Sequence, residues 1–158
     1  MTPVLNNLDQ VAAAGRQAGE AYREQLVTPE GEAGALGVFA LNAIRDVAAG
    51  GRFDYQRKGN QPGGLAAELL HGPRALEFTQ LRQFRPISNI NVGLWGQQAG
   101  LTLDETLKLA DIWSTLIGRT NPNSPSNLYS KTELYIREGY RIGQQGLFRR
   151  PAPSASPP

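Results

Sequence analysis

Cysteine is absent from this chain of 158 residues, and histidine occurs once, as His71. The first absence excludes disulfides, thiolate metal sites and cysteine nucleophiles. The second excludes a multi-histidine metal site and a two-histidine acid/base pair. Charge is also sparse, at 19% of residues, and 16 Lys and Arg against 14 Asp and Glu leave a formal +2. That excess is too mild to announce nucleic-acid binding, although Arg137, Arg141, Arg149 and Arg150 gather it in the last third. No apolar run approaches the roughly 20 residues that cross a bilayer. The longest, Ala33 to Ala43, is broken by Gly34, Gly37 and Asn42. The amino terminus has no basic segment followed by an apolar core, so no secretory signal is read there. The expectation is a protein made in the cytoplasm without a signal peptide and without membrane insertion, which a specialised secretion system carries if it leaves the cell.

What is present suits one compact, mainly α domain, 40% hydrophobic and long enough to bury roughly two thirds of its unfolded surface. Apolar residues recur at helical spacing from Leu5 to Leu26. Thr28-Pro29-Glu30 reads as N-cap, first-turn proline and acidic first turn of a second helix, running through Leu36, Phe39, Ala40, Ile44 and Val47 to Gly50-Gly51. Gly31, Gly34 and Gly37 within it suggest close approach to another backbone. Residues 52–58 predict a short extended segment, with Phe53 and Tyr55 alternating with Asp54 and Gln56. Leu65 to Leu70 and Leu76 to Phe84 predict two short helices. Thr102-Leu103-Asp104-Glu105 and Ser130-Lys131-Thr132-Glu133 are two capping boxes, each opening a longer helix. In all, five to seven helices are expected. Residues 1–50 form an amino-terminal helical pair, either core or adaptor, 51–148 the main domain, and 149–158 a disordered proline-rich tail.

The stretch with the most unusual chemistry is Ser88 to Gln98, where Asn89, Asn91, Gln97 and Gln98 stand among Ile90, Val92, Leu94 and Trp95 with no intervening charge. Amides in a semi-buried wall must be hydrogen-bonded, to the protein's own backbone or to a ligand. Asn89 and Asn91 therefore bind a ligand's hydroxyl or amide groups, or else cap a helix carrying Leu94 and Trp95. Asp54 is the first candidate acid/base, since a carboxyl between two aromatics and beside Arg57 meets the opposing influences that proton transfer exploits. The alternative is a turn aspartate that caps local backbone. His71, just before Gly72-Pro73, is a helix cap or a general base. Arg137 and Tyr140, with Arg141 and Lys131 nearby, form a basic stripe suited to a phosphate or a sugar, or simply solvated.

Taken in order, Phe53-Asp54-Tyr55-Gln56-Arg57, Asn89-Ile90-Asn91-Val92-Gly93, Ala99-Gly100-Leu101, Asn127-Leu128-Tyr129 and Ile136-Arg137-Glu138-Gly139-Tyr140 resemble the polymorphic toxin type 44 domain. The resemblance spans about residues 52–143. Ile90 and Val92 stand where that family has aromatics, and Gln56-Arg57 replaces a more lysine-like pair. The resemblance implies a hydrolytic effector delivered into a competitor or host cell and paired with a cognate immunity protein. An RNase would use Asp54 or His71 as general base and Arg57 or Arg137 to stabilise a phosphorane-like transition state, with no metal or cofactor expected. A peptidoglycan hydrolase, the second expectation, would use Asp54 as acid while Tyr55, Gln56, Asn89, Asn91, Gln97 and Tyr140 hold sugar hydroxyls and acetamido groups. A non-catalytic interaction module is the third.

Overall fold

The computed structural model describes residues 8–48, 50–54, 67–69, 78–80, 86–116, 123 and 126–149. Among them the chain is mainly α, with helices α1 (Leu8–Leu26), α2 (Gly31–Asp46), α3 (Pro86–Gln98), α4 (Leu103–Leu116) and α5 (Ser130–Gln145). Strands β1 (Ala67–Leu69) and β2 (Phe78–Gln80) pair antiparallel, with Glu68 opposite Thr79. These strands stand where the apolar runs predicted short helices. Six to nine residues bounded by glycine and proline repay helix nucleation poorly, whereas two such runs satisfy each other's backbone by pairing.

Helix α3 is the axis of the molecule. Ile87, Leu94 and Trp95 are buried, as are Ser88, Asn91, Gly93 and Gly96, so it is covered on several sides rather than one. Its neighbours approach through glycine. On α1, Gly15 and Gly19 face the Trp95 and Ala99 carbonyls; on α5, Gly139 faces the Ile90 carbonyl and Gly143 the Gln97 side chain. Gly93 of α3 answers by facing the Ile136 carbonyl, and Gly96 lies against Thr106 of α4. Both flanking helices thus carry glycines four residues apart, on one helical face. The close approaches to another backbone fall there and not at Gly31, Gly34 and Gly37: a Cβ at Gly31 or Gly37 would meet nothing within 4 Å, and one at Gly34 would meet only the Glu30 and Gln25 side chains. Val11, Ala12, Ala43, Phe53, Leu94 and Trp95 belong to one apolar cluster, so α1 and α2 share a core with α3.

Of the apolar positions expected along α2, Phe39 packs on the core and Val47, just past the helix, is buried, whereas Leu36, Ala40 and Ile44 are exposed. The buried residues of the helix are Ala35, Ala43 and Asp46, with Phe39 packed on the core from the same face. Small residues let α1 lie close, and Asp46 must point inward to meet Trp95. The helix begins at Gly31 and has no side-chain cap; Thr28 Oγ1 instead donates to the Gln25 carbonyl at 2.8 Å.

The Thr102 capping box forms as expected: the Glu105 N–H donates to Thr102 Oγ1 at 3.2 Å, and the Thr102 N–H donates to the Glu105 carboxylate at 2.7 Å. Thr102→Ala is expected to cost about 1 kcal/mol, read as a lower urea midpoint at unchanged m-value. The second box does not form. Tyr129 occupies the cap position of α5 without a side-chain bond, because the Glu133 carboxylate accepts instead from Ser126 Oγ at 2.6 Å and from Arg137.

Candidate functional site

The site is built where the carboxyl end of α2 turns back onto α3. Past Asp46 the chain must reverse, and Gly50 with φ +84° makes the reversal possible. Gly51 passes so close to the Asp46 carbonyl that a Cβ there would come within 2.8 Å. The returning backbone then serves the helix end: the Arg52 N–H donates to the Arg45 carbonyl and the Phe53 N–H to the Asp46 carbonyl, each at 2.9 Å. Two α2 carbonyls that a bare helix end leaves unsatisfied are thereby paired. Arg52 and Phe53 accordingly lie in a turn rather than in extended backbone.

Two side chains of α3 receive this turn. Asn91, 1% exposed, donates from Nδ2 to the Phe53 carbonyl at 3.1 Å. Trp95, fully buried, donates from Nε1 to Asp46 Oδ2 at 3.0 Å. Asp46 is the electrostatic centre. Its fully buried carboxylate also accepts from Arg45 through Nε at 2.9 Å and Nη2 at 3.1 Å, and pairs with Arg52 Nε at 2.8 Å. Burial disfavours the charge, but the hydrogen bonds from Arg45 and Trp95 and the charges of Arg52 and Arg45 outweigh it and hold its pKa below the ordinary Asp value. Both arginine side chains remain about half exposed, and the Arg52 guanidinium lies 4.7 Å from the Phe53 ring centroid. Asp54 ends the turn, buried, its Oδ2 accepting the Gly50 N–H at 2.8 Å.

Of the residues singled out from sequence, Asp54 and Asn91 are brought together: Asn91 holds the carbonyl of the residue just before Asp54. Asn89 is half-buried and inside α3, which starts three residues earlier at Pro86. Proline suits a first helical position, so neither asparagine is the cap. Gln97 accepts from Gln98 Nε2 at 2.6 Å, and the Tyr140 hydroxyl donates to the Leu101 carbonyl at 2.9 Å. Arg137 is exposed and tied to Glu133 at 2.6 Å, in a cleft with Asp104, Lys108 and Asp111 that includes no residue of the turn. The Ser126 hydroxyl and then Arg137 hold Glu133 below the ordinary carboxylate range. Tyr55, Gln56, Arg57 and His71 lie outside the described residues.

No family model, curated protein or solved structure matches this chain. Its function is therefore argued from its residues. Sequence reasoning passed over Asp46, Arg45 and Arg52, although a signal existed. Phe39, Ala43 and Asp46 share a helical face, and a buried tryptophan needs an acceptor for its indole N–H.

Proposed function

We propose that this chain is an antibacterial effector toxin with hydrolytic activity, of the polymorphic toxin type 44 kind, and that it cleaves RNA beside Asp54. One observation carries the proposal: the buried Asp46 carboxylate pairs with two half-exposed arginines, Arg45 at the end of α2 and Arg52 in the turn that ends at Asp54. A guanidinium held rigidly by its own carboxylate is ready to take a phosphodiester oxygen without first losing side-chain freedom. Arg52 then stabilises the charge that gathers on the phosphorus oxygens in the transition state. Asp54, oriented by the Gly50 N–H, takes the proton of the attacking hydroxyl. A cognate immunity protein and a secretion-system carrier belong to the same proposal.

The peptidoglycan alternative draws less support, because the Asn91 amide and the Tyr140 hydroxyl spend hydrogen bonds on the protein's own carbonyls. The same Asn91 bond favours the interaction module as second choice. Expression confined to the cytoplasm is expected to arrest growth and degrade total RNA, and toxicity seen only after export to the periplasm would sink RNA cleavage. Asp54→Ala and Arg52→Ala are each expected to lower RNA cleavage by at least about 100-fold, with Arg52→Lys retaining a fraction. Folded variants that remain fully toxic would remove the turn from the chemistry and leave the interaction module.

A further inference from the structure

A cleft of about 690 Å³ lies where the chain leaving α5 folds back against α1, and its walls include Asp9, Arg16, Gln98, Gln144, Phe148 and Arg149 but no residue of the turn at Asp54. Its size is that of a small-molecule site, roughly 300–1,000 Å³. Arg16 is held there by a chain of neutral amides: its Nη1 donates to Gln98 Oε1 at 2.8 Å, and Gln98 Nε2 donates to Gln97 Oε1 at 2.6 Å. Gln97 in turn occupies the space that Gly143 leaves open, since a Cβ on Gly143 would come within 2.5 Å of Gln97 Oε1. The Arg16 guanidinium also lies 5.8 Å from the Phe148 ring centroid. Arg149 is placed by Gly146, which takes φ +67° at the end of α5 and whose carbonyl accepts the Arg149 N–H at 3.2 Å.

The arginines of α2, of the turn and of α5 are each paired with a carboxylate: Arg45 and Arg52 with Asp46, Arg137 with Glu133, and Arg141 with Glu138. Among the described residues no carboxylate pairs with Arg16 or Arg149, and Asp9 stands two turns from Arg16 along α1, roughly 10 Å. A guanidinium oriented by amides keeps its whole charge for a ligand, whereas one oriented by a carboxylate is largely neutralised. We propose that this cleft binds the phosphate monoester group of a small hydroxylated molecule, a sugar phosphate or a nucleoside monophosphate. Two guanidiniums from different elements match the three oxygens and the charge of about −1.5 to −2 that a monoester carries, where a single carboxylate would occupy one fork. Asp9 and the exposed Gln144 amide supply acceptors and donors for hydroxyl groups on the rest of the ligand. Gln97 and Gln98, which stood out in sequence as uncharged amides and take no part in the turn, are positioning residues here. The cleft does not depend on the chemistry proposed for the turn.

Titration calorimetry of the full chain at low salt is expected to give AMP and ribose phosphate dissociation constants on the order of 10–100 μM. Adenosine and ribose, which lack the phosphate, are expected to bind at least about 100-fold more weakly. AMP tighter than ribose phosphate by about tenfold or more assigns the cleft to a nucleotide, and equal affinities assign it to a sugar phosphate. Arg16→Ala and Arg149→Ala are each expected to weaken AMP binding by at least about tenfold. Gln98→Glu is the sharper test, because a carboxylate in place of the amide keeps Arg16 in position but neutralises it. Affinity for AMP is then expected to fall by at least about tenfold while the unfolding midpoint does not fall. Asp54→Ala should bind AMP as the wild type does, so a failure of the chemistry at the turn leaves this result standing. Three results would overturn the proposal: no binding of AMP or ribose phosphate up to about 5 mM, equal binding of AMP and adenosine, or full affinity retained in folded Gln98→Glu and Arg149→Ala variants.

Discussion

Gly139→Ala is expected to lose at least about 3 kcal/mol of stability, a large part of what a domain of this size possesses. In the α3–α5 crossing a Cβ on Gly139 would overlap the Ile90 carbonyl, and one on Gly93 would overlap the Ile136 carbonyl. Neither obstacle is the flexible end of a side chain. Both are backbone, each fixed in its own helix, so relief requires the helices to separate along the whole contact. Separation would also loosen what α3 holds, including Asn91 on Phe53 and Trp95 on Asp46. Alanine's better helix propensity returns only about 1 kcal/mol. Gly37→Ala is the matched control. Gly37 is helical and its Cβ would enter open space, so the change is expected to raise stability by up to about 1 kcal/mol. Urea unfolding followed by circular dichroism checks both. A Gly139→Ala variant as stable as wild type would mean the crossing is looser than described.

Asp46→Ala is expected to cost about 2–4 kcal/mol, somewhat below the full penalty for breaking a buried ion pair because Arg45 and Arg52 keep access to water. The loss comes mainly from the Trp95 indole N–H, left buried without its acceptor, and from two guanidiniums left facing each other. Asp46→Asn, which keeps an acceptor for Trp95 but not the charge, is expected to lose less. Trp95 fluorescence and urea midpoints separate the two variants. The ionisation has a pH signature with a definite sign. The folded carboxyl has its pKa below the unfolded value of about 3.9, so its stabilisation is complete above that value and is lost as pH falls through the lower folded pKa. Glu133 and Glu138, held down by Ser126 and Arg137 and by Arg141 respectively, act in the same direction. Wild type should therefore lose more stability than Asp46→Asn on acidification across that window. Parallel curves would show that Asp46 is not ionised in the folded protein.

Much of the helical layout is legible in local patterns. The α1 repeat, the Thr102 box and the glycine-rich stop beyond α2 each rest on interactions within one or two turns, and such interactions do not depend on the rest of the fold. The strands and the face of α2 do depend on it. Apolar residues at Leu36, Ala40 and Ile44 form a helical stripe as regular as the one that is buried, and nothing local ranks one above the other. The choice follows from Trp95, 49 positions beyond Asp46, which needs an acceptor inside and finds it on the Asp46 face.

The candidate site divides along the same line. Asn91 stood out in sequence because an amide among apolar residues must be satisfied, and it is, by the Phe53 carbonyl 38 positions away. Gly93 stood out beside it, and its reason is the Ile136 carbonyl of α5. Composition alone excluded thiol and multi-histidine chemistry, since absent residues cannot act in any fold. The order of residues implied a mainly α domain, since helix periodicity and caps are properties of neighbouring residues. Only the tertiary structure decided which carboxylate is central. The identity of a buried charge depends on the donors that surround it, and Arg45, Arg52 and Trp95 meet at Asp46 only after the turn has closed onto α3.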